Sequence, residues 1–412
     1  MLSKILFPIP SEHQSTSQVF PDRLFGNSHT KLCDNERQPP TGNPEEESMT
    51  SRTPTQSYSP VLPYGVVNCL RATRALVSLC VGVVLCGPVL EASALPPADE
   101  ILRELQISDR DRQRMREGDI VSWTPTERSD RELAFGMALL VKTQAENLSG
   151  LFHEAEAFMN VKVIAAFGKI GNEGTLADFA GVTLAPHGEK EARRYLAAKP
   201  GDELNLDAKE MAAFQALKST SKNRAVPTQK VEALIREGLL ARYRAYRTKG
   251  LAGVAPYARK SGPHLLASDE LAIATKQSKL VEKYLPSVYD VIVNYPATLK
   301  QGDEFEEKFF WMNSEIRDRP TYTLSHRMLF RVGEAYVIVD RQYYASHNYN
   351  CLQQGAMALP TNDGTVVVYL SSVSTEQVAG FGSSMKKSAS RVLLTPYFKE
   401  MLEALRATAE KQ

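Results

Sequence analysis

Apolar positions set two successive periods along the chain. Residues 95–117 place Ile101, Leu102, Leu105 and Ile107 near helical spacing before charge takes over, which predicts a lead-in helix broken at Gly118-Asp119. RELAFGMALLVKTQ (131–144) is apolar almost throughout and predicts a buried strand. AENLSGLFHEAEAFMN puts Leu148, Leu151, Phe152, Ala155 and Phe158 on one helical face. VKVIAAFGKIG (161–171) predicts a strand ended by glycines, and DFAGVTL a further short one. Residues 187–285 turn to Ala, Glu, Lys, Arg and Leu, with Asp207 and Thr228 as N-caps and Gly250 as a C-cap. They predict an inserted helical block.

After Tyr295-Pro296 the period switches to two. EFEEKFFWMN and TYTLSHRMLFRV predict strands, the second with Tyr322, Leu324, His326, Met328, Phe330 and Val332 on one face. Gly333-Glu334 predicts a tight turn, residues 335–360 one long strand kinked near 348–350, and Asn362-Asp363-Gly364 a hairpin into TVVVYLSSVS. The chain ends in a helix with an apolar stripe of Leu393, Leu394, Tyr397, Phe398, Leu402 and Leu405, Pro396 marking a kink or a late start. The fold class is therefore α+β: a curved antiparallel sheet closed by a long C-terminal helix, with an inserted helical block. A sheet that wraps a helix leaves a gap between them, and a gap is where a ligand binds.

Composition changes this picture at the N-terminus. Residues 1–64 are rich in Pro, Ser, Thr, Asn and Gln, too polar to offset the entropy of ordering, so 1–70 reads as a disordered extension. Residues 71–94 read as a signal peptide: Arg71 and Arg74, then an uncharged apolar run from Ala75 to Leu90, then Ala92-Ser93-Ala94 with cleavage after Ala94. The run falls short of the ~20 residues a bilayer span needs, which makes a retained anchor the lesser reading. The expected location is the periplasm or the medium, and 95–412 is the folded domain. The signal starts far from residue 1, and Met49 would be a better start. A net charge of +1 with no dense basic stretch argues against a nucleic-acid partner. After cleavage only Cys351 remains of five cysteines, which leaves no internal disulfide and predicts a small buried hydrophobe.

The segments RQYYASHNYN, VVVYLSSVS and FGSSMKKSASRV carry a resemblance. With the order of elements, they resemble the START-like, or helix-grip, superfamily of lipid and small-ligand binders. In particular they are similar to a set of exported bacterial proteins with a Lys/Arg-Gln-x-Tyr-Ala-Ser-His-Tyr strand. Arg341, Gln342, Tyr344, Ala345, Ser346 and His347 match, and Tyr349 falls one place late. Ser371 and Ser372 stand where that set often has Asn-Arg, which weakens any role carried over for the pair. The resemblance implies a fold and an export route and brings no activity.

Taken as a two-residue turn, Gly333-Glu334 pairs Val332 with Ala335, His326 with Arg341 and Leu324 with Tyr343. One face then carries an apolar wall with His326, Arg341, Tyr343 and His347 set into it. Arg341 suits a carboxylate or phosphate. The histidines and Tyr343 add hydrogen bonds, and Leu324, Phe330, Leu394 and Phe398 supply the apolar lining. Ser346 and His347 are adjacent, so on a strand they point apart, and no Gly-x-Ser-x-Gly elbow is present. His326 and His347 match no zinc spacing, and Asp340 falls on the opposite face. No metal and no cofactor is expected; each histidine is expected to bond to a Tyr or a backbone group. Glu304 and Glu306 share a face and read as a solvated edge. Arg242, Tyr246 and Lys249 line up on a helix as an exposed amphipathic face, with transient contact to an anionic membrane surface as the minor reading.

The expected function is an exported soluble protein that binds an apolar small molecule or lipid between sheet and C-terminal helix, and not an enzyme. Two alternatives stand beside it. One is an aromatase- or cyclase-like or hydrolytic enzyme using His326, Arg341, Tyr343 and His347, which needs those side chains to converge on one water-accessible cavity. The other is an envelope interaction module with 187–285 as its partner surface, which needs an exposed apolar patch there.

Overall fold

The computed structural model describes residues 95–411, apart from 154–163, 202, 221–225, 261–265, 277 and 298–304. The extension, the signal segment and its cleavage site lie outside the described residues, as do Ala155 and Phe158. The lead-in is two helices, α1 (Ala98–Glu104) and α2 (Asp109–Arg116), rather than one. Gln106 turns the chain between them with φ 61°, and the Ser108 hydroxyl caps α2 by accepting from the Asp111 N–H at 3.1 Å. Then come β1 (Val121–Trp123), β2 (Glu132–Val141), α3 (Ala145–His153) and β3 (Ile164–Ile170). The stretch read as a short strand forms none: it begins inside a 3-10 turn, Leu176–Phe179, held by a capping box between Thr175 and Asp178, and continues as irregular chain.

The helical block is α4 (Gly188–Leu196), α5 (Ala208–Thr220), α6 (Thr228–Lys249), α7 (Ala267–Lys276) and α8 (Lys279–Tyr284), and α9 (Pro286–Asn294) extends it. The meander is β4 (Phe305–Glu315), β5 (Pro320–Val332), β6 (Ala335–Ala345), β7 (Cys351–Thr361) and β8 (Gly364–Ser374), and α10 (Ser383–Ala409) ends the chain. The strands form one antiparallel sheet of eight in the order β1-β2-β8-β7-β6-β5-β4-β3. The α+β reading holds. The single strand expected over 335–360 does not: the chain reverses at 346–350, where Asn348 adopts φ 73°, and β7 returns along β6 with Leu352 opposite Gln342. Asn tolerates this left-handed backbone better than most residues.

Side chains alternate across the sheet, so each face has its own cover. On one face lie Phe309, Trp311, Leu324, Met328, Val337, Val339, Met357 and Val368, packed against α1, α2 and the helices from α4 to α9. On the other, Leu133, Phe135, Leu139, Ile338, Val367 and Tyr369 meet Leu394, Phe398, Leu402 and Leu405 of α10 and Leu148 of α3. The Phe398 ring sits 4.8 Å from that of Phe135 and 6.0 Å from that of Tyr369. At Leu394 and Phe398, then, side-chain packing takes up the gap expected beneath the C-terminal helix. Phe398→Ala is expected to cost about 3–5 kcal/mol in urea unfolding while leaving ligand affinity unchanged in the folded protein.

Candidate functional site

The centre of the first face is polar. β5 and β6 pair His326 with Arg341 as predicted, but the register slips between Leu324 and Ser325, so Leu324 opposes Tyr344 and not Tyr343. The extra residue is a bulge. It lets Tyr343 and Tyr344 both turn toward the helical block: the Tyr343 ring stacks on Tyr246 of α6 at 3.9 Å, and Tyr344 lies under the Arg242 guanidinium at 4.3 Å. Residues Arg242 and Tyr246, read as an exposed helix face, are buried. Arg242 is there because Glu210 accepts from its Nε at 2.7 Å and its Nη2 at 2.5 Å. The membrane contact inferred from that helix face loses its basis.

Arg341 is fully buried. Its Nε donates to Gln353 Oε1 at 3.0 Å and its Nη1 to the Tyr246 hydroxyl at 3.3 Å. Its Nη2 donates to Thr275 Oγ1 at 3.2 Å and to the Ile292 carbonyl at 2.8 Å. A guanidinium only donates, and this sets the direction of every hydrogen bond linked to it. Tyr246 accepts from Arg341, so its own proton goes to His326 Nδ1 at 3.0 Å. His326 then donates from Nε2 to Glu307 Oε2 at 2.9 Å, and Arg247 holds Glu307 Oε1 at 2.5 Å. Burial pushes His326 down to about 4, which matches the neutral imidazole this chain requires. Burial works against ionisation of Glu307, yet the interactions with His326, Tyr295 and Arg247 together outweigh it and the carboxyl lies below its usual range. Glu307 thus joins this network, while Glu306, which points to the other side of β4, is exposed and Glu304 lies outside the described residues.

His347 is elsewhere. Its Nε2 contacts the Pro320 carbonyl at 3.0 Å beside Thr321, which lies five residues along β5 from His326, about 17 Å at the rise of a strand. Burial, with Arg319 nearby, holds it too at about 4. Ser346 is tied to β5, its hydroxyl accepting from the Tyr322 N–H at 3.0 Å. The expected set is therefore divided. His326, Arg341 and Tyr343 meet under α6 with Leu324 beside them, Phe330 packs on Phe305 at 4.9 Å, His347 is at the far end of β5, and Leu394 and Phe398 are across the sheet. They do not line one cavity.

Both histidines have folded-state pKa values below the ordinary 6.5, so the unfolded chain binds more protons between about pH 6.5 and 4. Stability is full above that window and is lost as pH falls through it, by up to roughly 3 kcal/mol per histidine. Urea midpoints are expected to drop from pH 6.5 downward, and the double variant His326→Gln, His347→Gln to flatten that slope.

A cleft of about 390 Å³ opens on the same face, displaced toward β2. Its floor is β6, β7 and β8, through Val337, Val339, Met357, Val368 and Leu370; its walls are Leu105, Leu280, Val281 and Ile292. Two glycines deepen it. Pairing across the sheet runs Val339, Gly355, Leu370, Gly136, Trp123. Gly355 puts no side chain on the floor, where a Cβ would stand 3.2 Å from the Ile338 carbonyl. The Trp123 indole lies flat on Gly136, in space a Cβ would enter at 2.3 Å. Gln353 forms the inner polar end, and Thr124, Pro125, Thr126 and Arg128 the rim. Sequence reasoning missed both glycines, although a glycine inside an apolar strand marks close approach of another group.

Other groups are accounted for. Cys351 is buried, its thiol pushed well up by desolvation. No group of three or more His, Cys, Asp or Glu able to hold a metal occurs among the described residues. The large apolar side chains that are exposed among them include Phe381, Met385 and Val392, around the start of α10, while the helical block shows Leu266 at its surface and no contiguous patch among those residues.

No protein-family model matches the chain, and no curated protein matches it. Among solved structures, the crystal structure of human STARD10 is similar: 9% identical, over 72% of this chain and 79% of that one, with a TM-score of 0.29. So slight a likeness carries neither fold nor function.

Proposed function

We propose that the protein is an exported carrier that holds an apolar small molecule or lipid, in the manner the START-like resemblance implies, but in the cleft between the sheet and the helical block. The observation that carries this reading is the cleft itself: a concave apolar site of ligand size with a few polar groups at one end. The place differs from the one sequence alone pointed to, because α10 packs closely where it meets Phe135 and Tyr369.

The enzyme reading needs His326, Arg341, Tyr343 and His347 on one open cavity, and their placement speaks against it. The Glu307–His326–Tyr246 chain has the direction of a catalytic relay, but none of its members lines the cleft. Its role in this reading is to hold Arg341.

Tryptophan makes the cleft observable. The chain has two, Trp123 at the cleft and Trp311 packed on Gly168 and Gly181 at the other end of the sheet. In the Trp311→Phe variant, an apolar ligand is expected to shift Trp123 emission saturably. A Trp123 signal unmoved by a ligand that binds the protein would place binding elsewhere.

A further inference from the structure

The charge around Arg341 does not balance. Its four acceptors, Gln353 Oε1, the Tyr246 hydroxyl, Thr275 Oγ1 and the Ile292 carbonyl, are all neutral. Glu307 is reached only through Tyr246 and His326, and Arg247 already holds it. Two guanidiniums thus share one carboxylate. A buried cation without a partner of its own is costly, and an added anion nearby offsets that cost.

Two of the four groups that Arg341 binds, Gln353 and Ile292, also line the cleft. Because Arg341 only donates, Gln353 turns its oxygen to the guanidinium, and the Thr275 hydroxyl stands 3.0 Å from the same oxygen. The Gln353 amide nitrogen is left for the cleft, and it presents donors there, not acceptors. Among the other charges at the cleft, Glu104 is taken up by Lys283 and Tyr284 and Lys279 by Glu282, while Arg128 stands exposed at the rim, away from the inner end. Glu132, beside the cleft residue Ser372, accepts from its hydroxyl and from the Arg128 N–H, both at 2.7 Å. The inner end of the cleft therefore favours an acceptor that carries negative charge.

We propose that the cleft selects apolar ligands bearing a carboxylate, of the fatty-acid kind, with the head group on the Gln353 amide and Arg341 supplying the charge behind it. This rests on the cleft being the binding site. Arg341 is a positioning residue here: it orients the amide and polarises it.

The test is binding of three probes of one chain length to the Trp311→Phe protein, read by Trp123 emission: dodecanoate, dodecanol and dodecylamine. Dodecanoate is expected to bind at least about tenfold more tightly than dodecanol, and dodecylamine least. Gln353→Glu gives Arg341 a carboxylate of its own and is expected to keep or raise the melting temperature while erasing the preference for acid. Gln353→Leu is expected to erase it too. Equal binding of acid and alcohol overturns the head-group assignment and leaves the cleft as the site. No response to any of the three overturns both.

Discussion

Arg341→Ala is expected to unfold the protein or bring it close to unfolding. The substitution removes the donor to Gln353, Tyr246, Thr275 and the Ile292 carbonyl at once, and Arg341 itself is fully buried. Each buried polar group left unpaired costs about 1–3 kcal/mol. These costs do not simply add, but a loss of about 5 kcal/mol or more is expected, against a total of roughly 5–15 for a whole domain. Arg341→Lys keeps a charge and loses the fork, and is expected to fall between. Urea unfolding of the three proteins checks this; a loss under about 1 kcal/mol for Arg341→Ala would mean the network is not what holds the helical block on the sheet.

Gly355→Leu is expected to do the reverse: to abolish binding and spare the fold. Gly355 lies in β7 without a positive φ, so a side chain there requires only that the Ile338 carbonyl, 3.2 Å from the new Cβ, give by a few tenths of an ångström. The leucine would stand on the cleft floor between Val339 and Leu370. Affinity is expected to fall at least about 100-fold, which corresponds to roughly 2.7 kcal/mol. Calorimetric titration with whichever ligand the wild-type protein retains, beside thermal melts of both proteins, separates the two effects.

The meander was legible in the sequence because alternation and turn chemistry are local. The pairing of His326 with Arg341 comes from one glycine at residue 333 and a count along two strands. The same count failed one step further on, at Tyr343, because a bulge adds a residue with no local signature. The reversal at 346–350 was missed for a related reason: Ser-His-Asn-Tyr-Asn carries no Gly or Pro, and Asn348 alone supplies the left-handed turn. The cover of the sheet was misread for a different reason. Which face of the sheet the helices from 187 onward would cover is decided by long-range packing, and no periodicity records it. Arg242 and Tyr246 were read as exposed because their types usually are; Glu210 and the Tyr343 ring, far off in the chain, offset the cost of burying them. Two signals were present and unused: Gly136 in the middle of an apolar run, and Gly355 inside a strand directly after Gln353 and Gln354.

The most direct test is native mass spectrometry of the folded protein, wild type and Gly355→Leu, each followed by organic extraction. A reproducible bound apolar mass on the wild type that is missing from the variant is the predicted result. A bound mass that persists on Gly355→Leu, or two clean protein masses under conditions where added apolar ligand also fails to bind, would contradict the placement of a ligand between the sheet and the helical block.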